Sequence, residues 1–410
     1  MSLIQDLPPG PLDIVGDIHG EIDALHSLLA HLGYDAQGRH PDGRTLVFVG
    51  DFCDRGPDSP AVLARVAHLV ASGRAVAVIG NHEINLLRND AKDGAGWYFD
   101  ARLASDHDKY APFARPTASQ RAAIVAFLGT LPVALERPDL RIVHAAWLPA
   151  QIAAVRQLPP GSVRAEYDHW EAEVRRQAQD GTLARRMATE RQQWPHDLED
   201  PLHKPPFLQA HADNELLKAM LNPLKVLTSG VERQGTDPFH AGGKWRFVER
   251  MAWWDSYTDA TPVVMGHYWR RPVVPTPDAL AALTPEEAGL FGHTPPFAWH
   301  GQRHNVFCVD YSVGGRWRAR KAGTPHDPQY QLAALRWPER TLLFENGTDH
   351  IVTDRPERPN SVLRTKARRA EKAYLCLGSA KIRFCRSSAG MDARPVAIIE
   401  QRRSETLGVL

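Results

Sequence analysis

The chain has 410 residues, 43% hydrophobic and 24% charged, a balance that can bury a sizeable core and excludes a chain dominated by disorder. A formal net charge of +1 excludes the global field of a duplex-coating protein and leaves room only for a local basic groove. The four cysteines, Cys53, Cys308, Cys376 and Cys385, form no CxxC pair, which excludes a zinc knuckle or a thioredoxin-like site and suits a reducing compartment.

The N-terminal residues lack the basic and apolar regions of a signal peptide, and no apolar run approaches the roughly 18 residues a membrane span needs. A cytoplasmic protein is therefore expected. Strand-like runs are predicted at Leu12–Val15, Thr45–Val49, Ala75–Ile79 and Arg141–Val143. Between them, Glu21–Leu32, Ser59–Val70 and Ser119–Leu128 carry apolar residues at helical spacing, so residues 1–150 read as the first half of an α/β core. Residues 151–222 turn charged, Gln-rich and helical, and read as an insertion. Within it Asn214 is expected to cap a short helix that ends before Pro223. Strand-like runs return at Pro262–Met265, Val306–Val309, Gln331–Leu335 and Thr341–Phe344, giving a second half of the core over residues 223–348. The Pro- and Gly-rich stretch Thr276–Pro296 reads as an excursion between two of these strands. Residues 349–410 read as a basic C-terminal tail, either mobile or an arm for an anionic partner.

Five short segments place polar ligand types directly after apolar strands: Asp17-Ile18-His19-Gly20, Gly50-Asp51-Phe52-Cys53-Asp54-Arg55-Gly56, Gly80-Asn81-His82-Glu83, Val143-His144 and Gly266-His267. Sites in α/β sheets form beyond the carboxyl ends of strands, so five such loops can converge on one crevice. Carboxylate, imidazole and amide oxygen together suit two divalent cations of the Mn, Fe or Zn type better than Ca. A bridging carboxylate holds such a pair about 3.5–4 Å apart. The central GDxxDRG pattern alone arises by chance on the order of once per million start positions.

DIHG, GDFCDRG and GNHE resemble the motifs of the phosphoprotein-phosphatase-type branch of the calcineurin-like metallophosphoesterases. The resemblance covers roughly residues 10–150 and 223–345. It implies a β-sandwich of two mixed sheets flanked by helices, with metals at one edge. Carried over by motif, it implies that Asp17 and His19 bind one metal, Asp51 bridges, and Asn81, His144 and His267 hold the second. It further implies His82 as general acid oriented by Asp54, and Arg55 as the grip on the phosphate. The chemistry agrees, because paired cations acidify water, imidazole donates protons near neutral pH, and a guanidinium holds two phosphate oxygens. Two divalent ions are the expected cofactors, Mn foremost, with Fe, Zn or Mg as alternatives.

Departures from the family pattern bear on the substrate. His144-Ala145-Ala146 stands where relatives commonly have HGG, and no stretch like that of eukaryotic protein phosphatases follows. A second phosphate-binding arginine is sought among Arg233, Arg246 and Arg250, with Arg250 the preferred candidate. The C-terminal half is similar to two bacterial groups, the phosphatase module of polynucleotide kinase-phosphatases and the diadenosine tetraphosphate hydrolases. Asp310 sits where such enzymes carry an aspartate near the site. The expected reaction is hydrolysis of a phosphomonoester or a nucleotide-type phosphoanhydride. The alternatives are a serine/threonine phosphoprotein phosphatase and a non-catalytic metal-binding or scaffold module. Expected partners are a phosphorylated small molecule, a nucleotide or a phosphoprotein, with nucleic acid not indicated by the net charge. Trp245, Trp253, Trp254 and Trp269 are either core packing or a platform for a nucleobase.

Overall fold

A computed structural model describes residues 2–179, 181–273, 289–292 and 294–352. In chain order the core begins with β1 (Ile4–Asp6), β2 (Leu12–Val15), α1 (Ile22–Leu32), β3 (Thr45–Phe48), α2 (Ser59–Ala71), β4 (Ala75–Ala77) and α3 (Asn81–Leu87). Next come α4 (Leu103–Tyr110), α5 (Ala118–Leu128), β5 (Ala134–Arg137), β6 (Leu140–Val143) and α6 (Pro149–Arg156). Helices α7 (Val163–Ala178), α8 (Gly181–Gln193), α9 (Gln209–Met220) and α10 (Pro223–Ser229) precede a hairpin, β7 (Glu232–Ala241) and β8 (Lys244–Arg250). The core then resumes with β9 (Val263–Met265), β10 (Val306–Cys308), the helix Arg316–Lys321, β11 (Ala333–Trp337), β12 (Thr341–Phe344) and β13 (Asp349–Ile351).

Two mixed sheets result. One runs β1-β5-β6-β9-β10 and the other β13-β12-β11-β2-β3-β4. The two-residue period of a strand sorts its side chains between two apolar layers. Leu12, Ile14 and Val47 of the larger sheet meet Ile142, Val264 and Phe307 of the smaller one in an inter-sheet core. Their neighbours Val15, Leu46 and Phe48 point the other way, onto Leu25 and Leu28 of α1 and Val62 and Val66 of α2. The fold is thus a sandwich of two mixed sheets flanked by helices.

Capping explains where several helices start and stop. Gly33 ends α1 in the left-handed region, at φ 96°, and the Asp58 side chain accepts the Ala61 N–H at the start of α2. Asn214 does not cap a helix as its sequence context suggested; it is buried inside α9. The capping asparagine is Asn222, whose side chain accepts the N–H groups of Leu224 and Lys225, and Pro223 opens α10 instead of closing its predecessor.

The hairpin β7–β8 had no counterpart among the sequence expectations. Its connection is Gly242-Gly243, both at positive φ (61° and 80°), which suits the tight two-residue turn of twisted strands. Phe247 of β8 packs on Leu208 and Ala212 beside α9, so helices and hairpin share a small core of their own. Past Gly347 the larger sheet gains β13, paired antiparallel to β12. Most of the expected excursion, residues 276–288 and 293, lies outside the described residues, as does the expected tail from residue 353 onward. Among the described residues no helix is long and apolar enough to cross a membrane.

Candidate metal centre

Six loops leave the carboxyl ends of β2, β3, β4, β6, β9 and β10, and their polar side chains meet at one edge of the sandwich. Asp17 and His19 follow β2, Asp51 to Arg55 follow β3, and Asn81 to Glu83 open α3 after β4. His144 follows β6, His267 follows β9 and Asp310 follows β10. Asp17, His19, Asp51, Asp54, His82, Glu83, His144 and Asp310 are all buried, an unusual density of ionisable groups for a protein interior.

Donor atoms gather in two groups that share one carboxylate. His19, Asp51 and His82 form the first, and Asp51, His144 and His267 the second. From Asp51 Oδ2 the imidazole Nε2 atoms lie at 3.8 Å for His19, 3.9 Å for His82 and 3.3 Å for His144. Asn81 Oδ1 belongs to the second group in space, 3.2 Å from His144 Nε2 and 2.9 Å from His267 Nδ1. Asp17 stands slightly apart. Its two carboxylate oxygens accept the backbone N–H of His267, at 3.2 and 3.0 Å.

The imidazoles are held by backbone partners: His19 Nδ1 donates to the Cys53 carbonyl at 2.9 Å and His144 Nδ1 to the Val49 carbonyl at 2.7 Å, which turns Nε2 of each toward the Asp51 carboxylate. His267 Nε2 is buried with no hydrogen-bond partner, and so is Asp310 Oδ2. Burial, reinforced by Arg55 and His82, holds His19 well below the ordinary imidazole range, and burial with Arg250 does the same to His267. Both rings thereby favour the neutral form, the form in which an imidazole can bind a metal. Burial, then the charges of Asp310 and Asp51, pushes the Asp17 carboxyl well up. Burial raises Asp310 to about 6. Crowded carboxylates, neutral imidazoles and orphaned acceptors are the pattern that a divalent cation relieves, so the residues present fit a metal pair.

The backbone is shaped for this convergence. His19, Asp51, Asp54, Arg55 and His267 all take φ between 47° and 73°, the left-handed region that costs an ordinary L-residue about 1–2 kcal/mol. Two glycines are dictated by contact. A Cβ on Gly80 would lie 2.2 Å from Asp51 Oδ1, and one on Gly266 would lie 2.0 Å from Asp17 Oδ1.

His82 differs from the other histidines in its partners. Its Nδ1 is 2.5 Å from Asp54 Oδ2, and the other Asp54 oxygen accepts the Trp97 indole N–H at 2.6 Å. Burial alone would lower its pKa; the Asp51 and Asp54 carboxylates outweigh that and raise it, despite the opposing Arg55 charge. The Arg55 guanidinium reaches between two imidazoles, with Nη1 3.1 Å from His19 Nε2 and Nη2 3.1 Å from His82 Nε2. A positive group is thus already drawn to those lone pairs.

Glu83 is the site residue whose role sequence reasoning left blank. Its buried carboxylate accepts the N–H groups of Asp51 at 2.8 Å, Phe52 at 2.8 Å and Gly80 at 3.0 Å, and the Cys53 thiol at 3.3 Å. It clamps the loop that carries Asp51 to the loop that carries Asn81. The available signal was Gly80-x-x-Glu83 at the start of a helix, a capping-box spacing. Glu83→Gln removes the charge and converts one acceptor to a donor that faces N–H groups. The expected result is a loss of about 10- to 100-fold in divalent-metal affinity, read by metal titration, with the fold retained by circular dichroism. Cys53 itself is driven well above the ordinary thiol range by burial and by Asp54 and Glu83.

The arginine candidates separate. Arg233 pairs with Glu249, and Arg246 with Glu215 and Glu232, within the hairpin and α9. Arg250, exposed at the end of β8, is the one whose charge bears on His267. Trp253 and Trp254 are core residues and Trp245 is 8% exposed, whereas Trp269 is 36% exposed.

The chain is 48% identical over 79 residues to the asymmetrical bis(5'-nucleosyl)-tetraphosphatase of Halalkalibacterium halodurans, covering 18% of this chain and 32% of that protein. It is 42% identical over 84 residues to the symmetrical bis(5'-nucleosyl)-tetraphosphatase of Ralstonia nicotianae, covering 20% and 26%. The match thus spans about a third or less of either relative's length. A cold-active protein-tyrosine phosphatase from a psychrophilic Shewanella has a solved structure that aligns with 85% of this chain and 83% of its own, at 15% identity and a TM-score of 0.42. Residues 10–177 match the calcineurin-like phosphoesterase family. Over those residues this chain carries a calcineurin-like phosphoesterase domain.

Proposed function

We propose that the protein is a phosphohydrolase with a dinuclear centre that cleaves a nucleotide-type phosphoanhydride or a phosphomonoester. The observation that carries this reading is Asp51, whose carboxylate belongs to both donor groups. When bound, two divalent ions, Mn foremost, supply Lewis acidity and an acidified water. Asp17, His19 and Asp51 would hold one ion, and Asp51, Asn81, His144 and His267 the other. Arg55 binds the phosphate through its planar fork, leaving the two imidazoles it now touches. His82, held in orientation by Asp54, delivers a proton to the departing oxygen once Arg55 has left its Nε2. Asp310 restrains the Ser312 loop by accepting its backbone N–H, and Arg250, whose charge reaches His267, is the candidate second contact for the anionic substrate.

The relatives named as bis(5'-nucleosyl)-tetraphosphatases favour the anhydride over the monoester as substrate class. A cytoplasmic location suits such a nucleotide substrate. The test is a panel of diadenosine tetraphosphate, a nucleoside monophosphate, a 3′-phosphorylated oligonucleotide and a phosphopeptide, each with Mn, Fe, Zn and Mg. Metal content is counted by mass spectrometry on the same preparations. Mn-dependent turnover greatest on the tetraphosphate is expected. A folded preparation that binds no metal and hydrolyses none of the four would point to the scaffold alternative.

A further inference from the structure

Two residues beyond the last metal-site histidine, an indole is left in the open beside a line of cations. Trp269 is 36% exposed, whereas its neighbours in the chain Trp253, Trp254 and Tyr268 are buried almost completely. The guanidinium carbon of Arg55 lies 5.3 Å from the Trp269 ring, and that of Arg318 lies 5.6 Å from the same ring. Arg318 in turn is 5.3 Å from the Trp317 ring, and Lys109 Nζ is 5.4 Å from Trp317. Rings and cations therefore alternate outward from the phosphate-binding arginine.

The arrangement is built, because its backing is fixed. A Cβ on Gly315 would meet Trp269 Cζ3 at 3.3 Å and the Tyr330 ring at 2.6 Å, so the indole edge rests where only glycine fits. Arg316 and Arg320 of the same short helix pair with Glu345 and Glu21. Arg318 between them is exposed and pairs with no carboxylate among the described residues. Trp269 also lines a cavity of about 350 Å³ together with Arg250, Arg271 and Phe291. A purely structural indole needs neither two guanidinium groups on its ring nor a cationic cavity at its edge. A nucleotide supplies both complements at once: a flat base for the indole and phosphates for the guanidiniums that now rest on it.

We infer that Trp269 and Arg318 form a nucleoside-polyphosphate subsite that continues the metal centre beyond Arg55. The base stacks on Trp269, and a phosphate remote from the cleaved bond pairs with Arg318. This deepens the hydrolase reading and rests on it, since Arg55 is the point where the two meet. It makes Trp269 and Arg318 specificity-determining residues that favour dinucleoside polyphosphates over phosphates lacking a base.

The test is equilibrium binding to the Mn-supplemented full chain. The probes are a diadenosine tetraphosphate with methylene groups in place of its bridging anhydride oxygens, and inorganic tripolyphosphate, which has no base. The intact protein is expected to bind the nucleotide at least about tenfold more tightly, within the range one stacked base contributes. Trp269→Leu should erase that preference, and Trp269→Phe, which keeps a ring, should retain most of it. Arg318→Gln, at an exposed position that folding tolerates, should weaken the nucleotide about fivefold, the scale of one solvent-facing charge contact to phosphate. A preference absent from the intact protein, or surviving both Trp269→Leu and Arg318→Gln, overturns the inference. Turnover of an aryl phosphate, measured separately, reports on the hydrolase reading alone. Its absence would sink that reading without touching the binding comparison.

Discussion

Asp51→Asn is expected to lower turnover of an aryl phosphate by about a thousandfold or more, the scale of the several kcal/mol that paired cations contribute to a phosphoryl transition state. The same change should reduce bound metal from two ions per chain to one or fewer. The reason is positional. Asp51 Oδ2 is the atom toward which His19, His82 and His144 all turn, so one carboxylate completes both donor groups. An amide keeps the shape and the left-handed backbone at this residue, which Asn tolerates well, so the fold should survive. Asp17→Asn removes a carboxylate that lies outside the two gathered groups and should cost one ion at most. Metal analysis and steady-state kinetics on both variants check the ordering. An Asp51→Asn protein that keeps two ions and works within tenfold of the parent would remove Asp51 from the centre.

Much of this site was legible because ligand residues in such loops are costly anywhere else. Asp17, His19, Asp51, Asn81 and His82 each follow an apolar strand within a few residues, and the parallel β2, β3 and β4 bring their carboxyl ends to one edge. Helices with a clean apolar face, such as α1, were legible for the same reason of periodicity. What stayed hidden was set by tertiary partners. Glu83 looks from its sequence like an ordinary first-turn helix acid, and only the arrival of the Asp51 loop gives its carboxylate three backbone N–H groups to accept. The hairpin β7–β8 was obscured because its strands are largely exposed and lack clean alternation, and their register slips between Gln234 and Phe239. Asn214 and Asn222 are equally good caps by composition; the Pro223 that follows the second decides between them. Trp269 could be told from its buried neighbours only by its exposure.

His82→Ala is expected to separate substrates by how much help their leaving groups need. For an alkyl phosphate the loss should be about 10²- to 10⁴-fold in kcat, the usual worth of a positioned general acid. For an aryl phosphate whose phenolate departs unaided it should be far smaller. That split distinguishes a proton donor from a metal ligand, which matters because His82 Nε2 stands 3.9 Å from Asp51 Oδ2, inside the first donor group. Loss of a ligand would slow both substrates alike and lower the metal count. The bond from His82 Nδ1 to Asp54 favours the donor role, since an acid must be held in one orientation and kept charged, and Trp97 fixes the far oxygen of that carboxylate. Asp54→Asn should therefore repeat the pattern more weakly, slowing the alkyl ester more than the aryl ester with both ions retained. Kinetics on the two esters with metal analysis of each variant decides it: equal losses on both substrates, with an ion missing, would make His82 a ligand and leave the departing oxygen without its proton source.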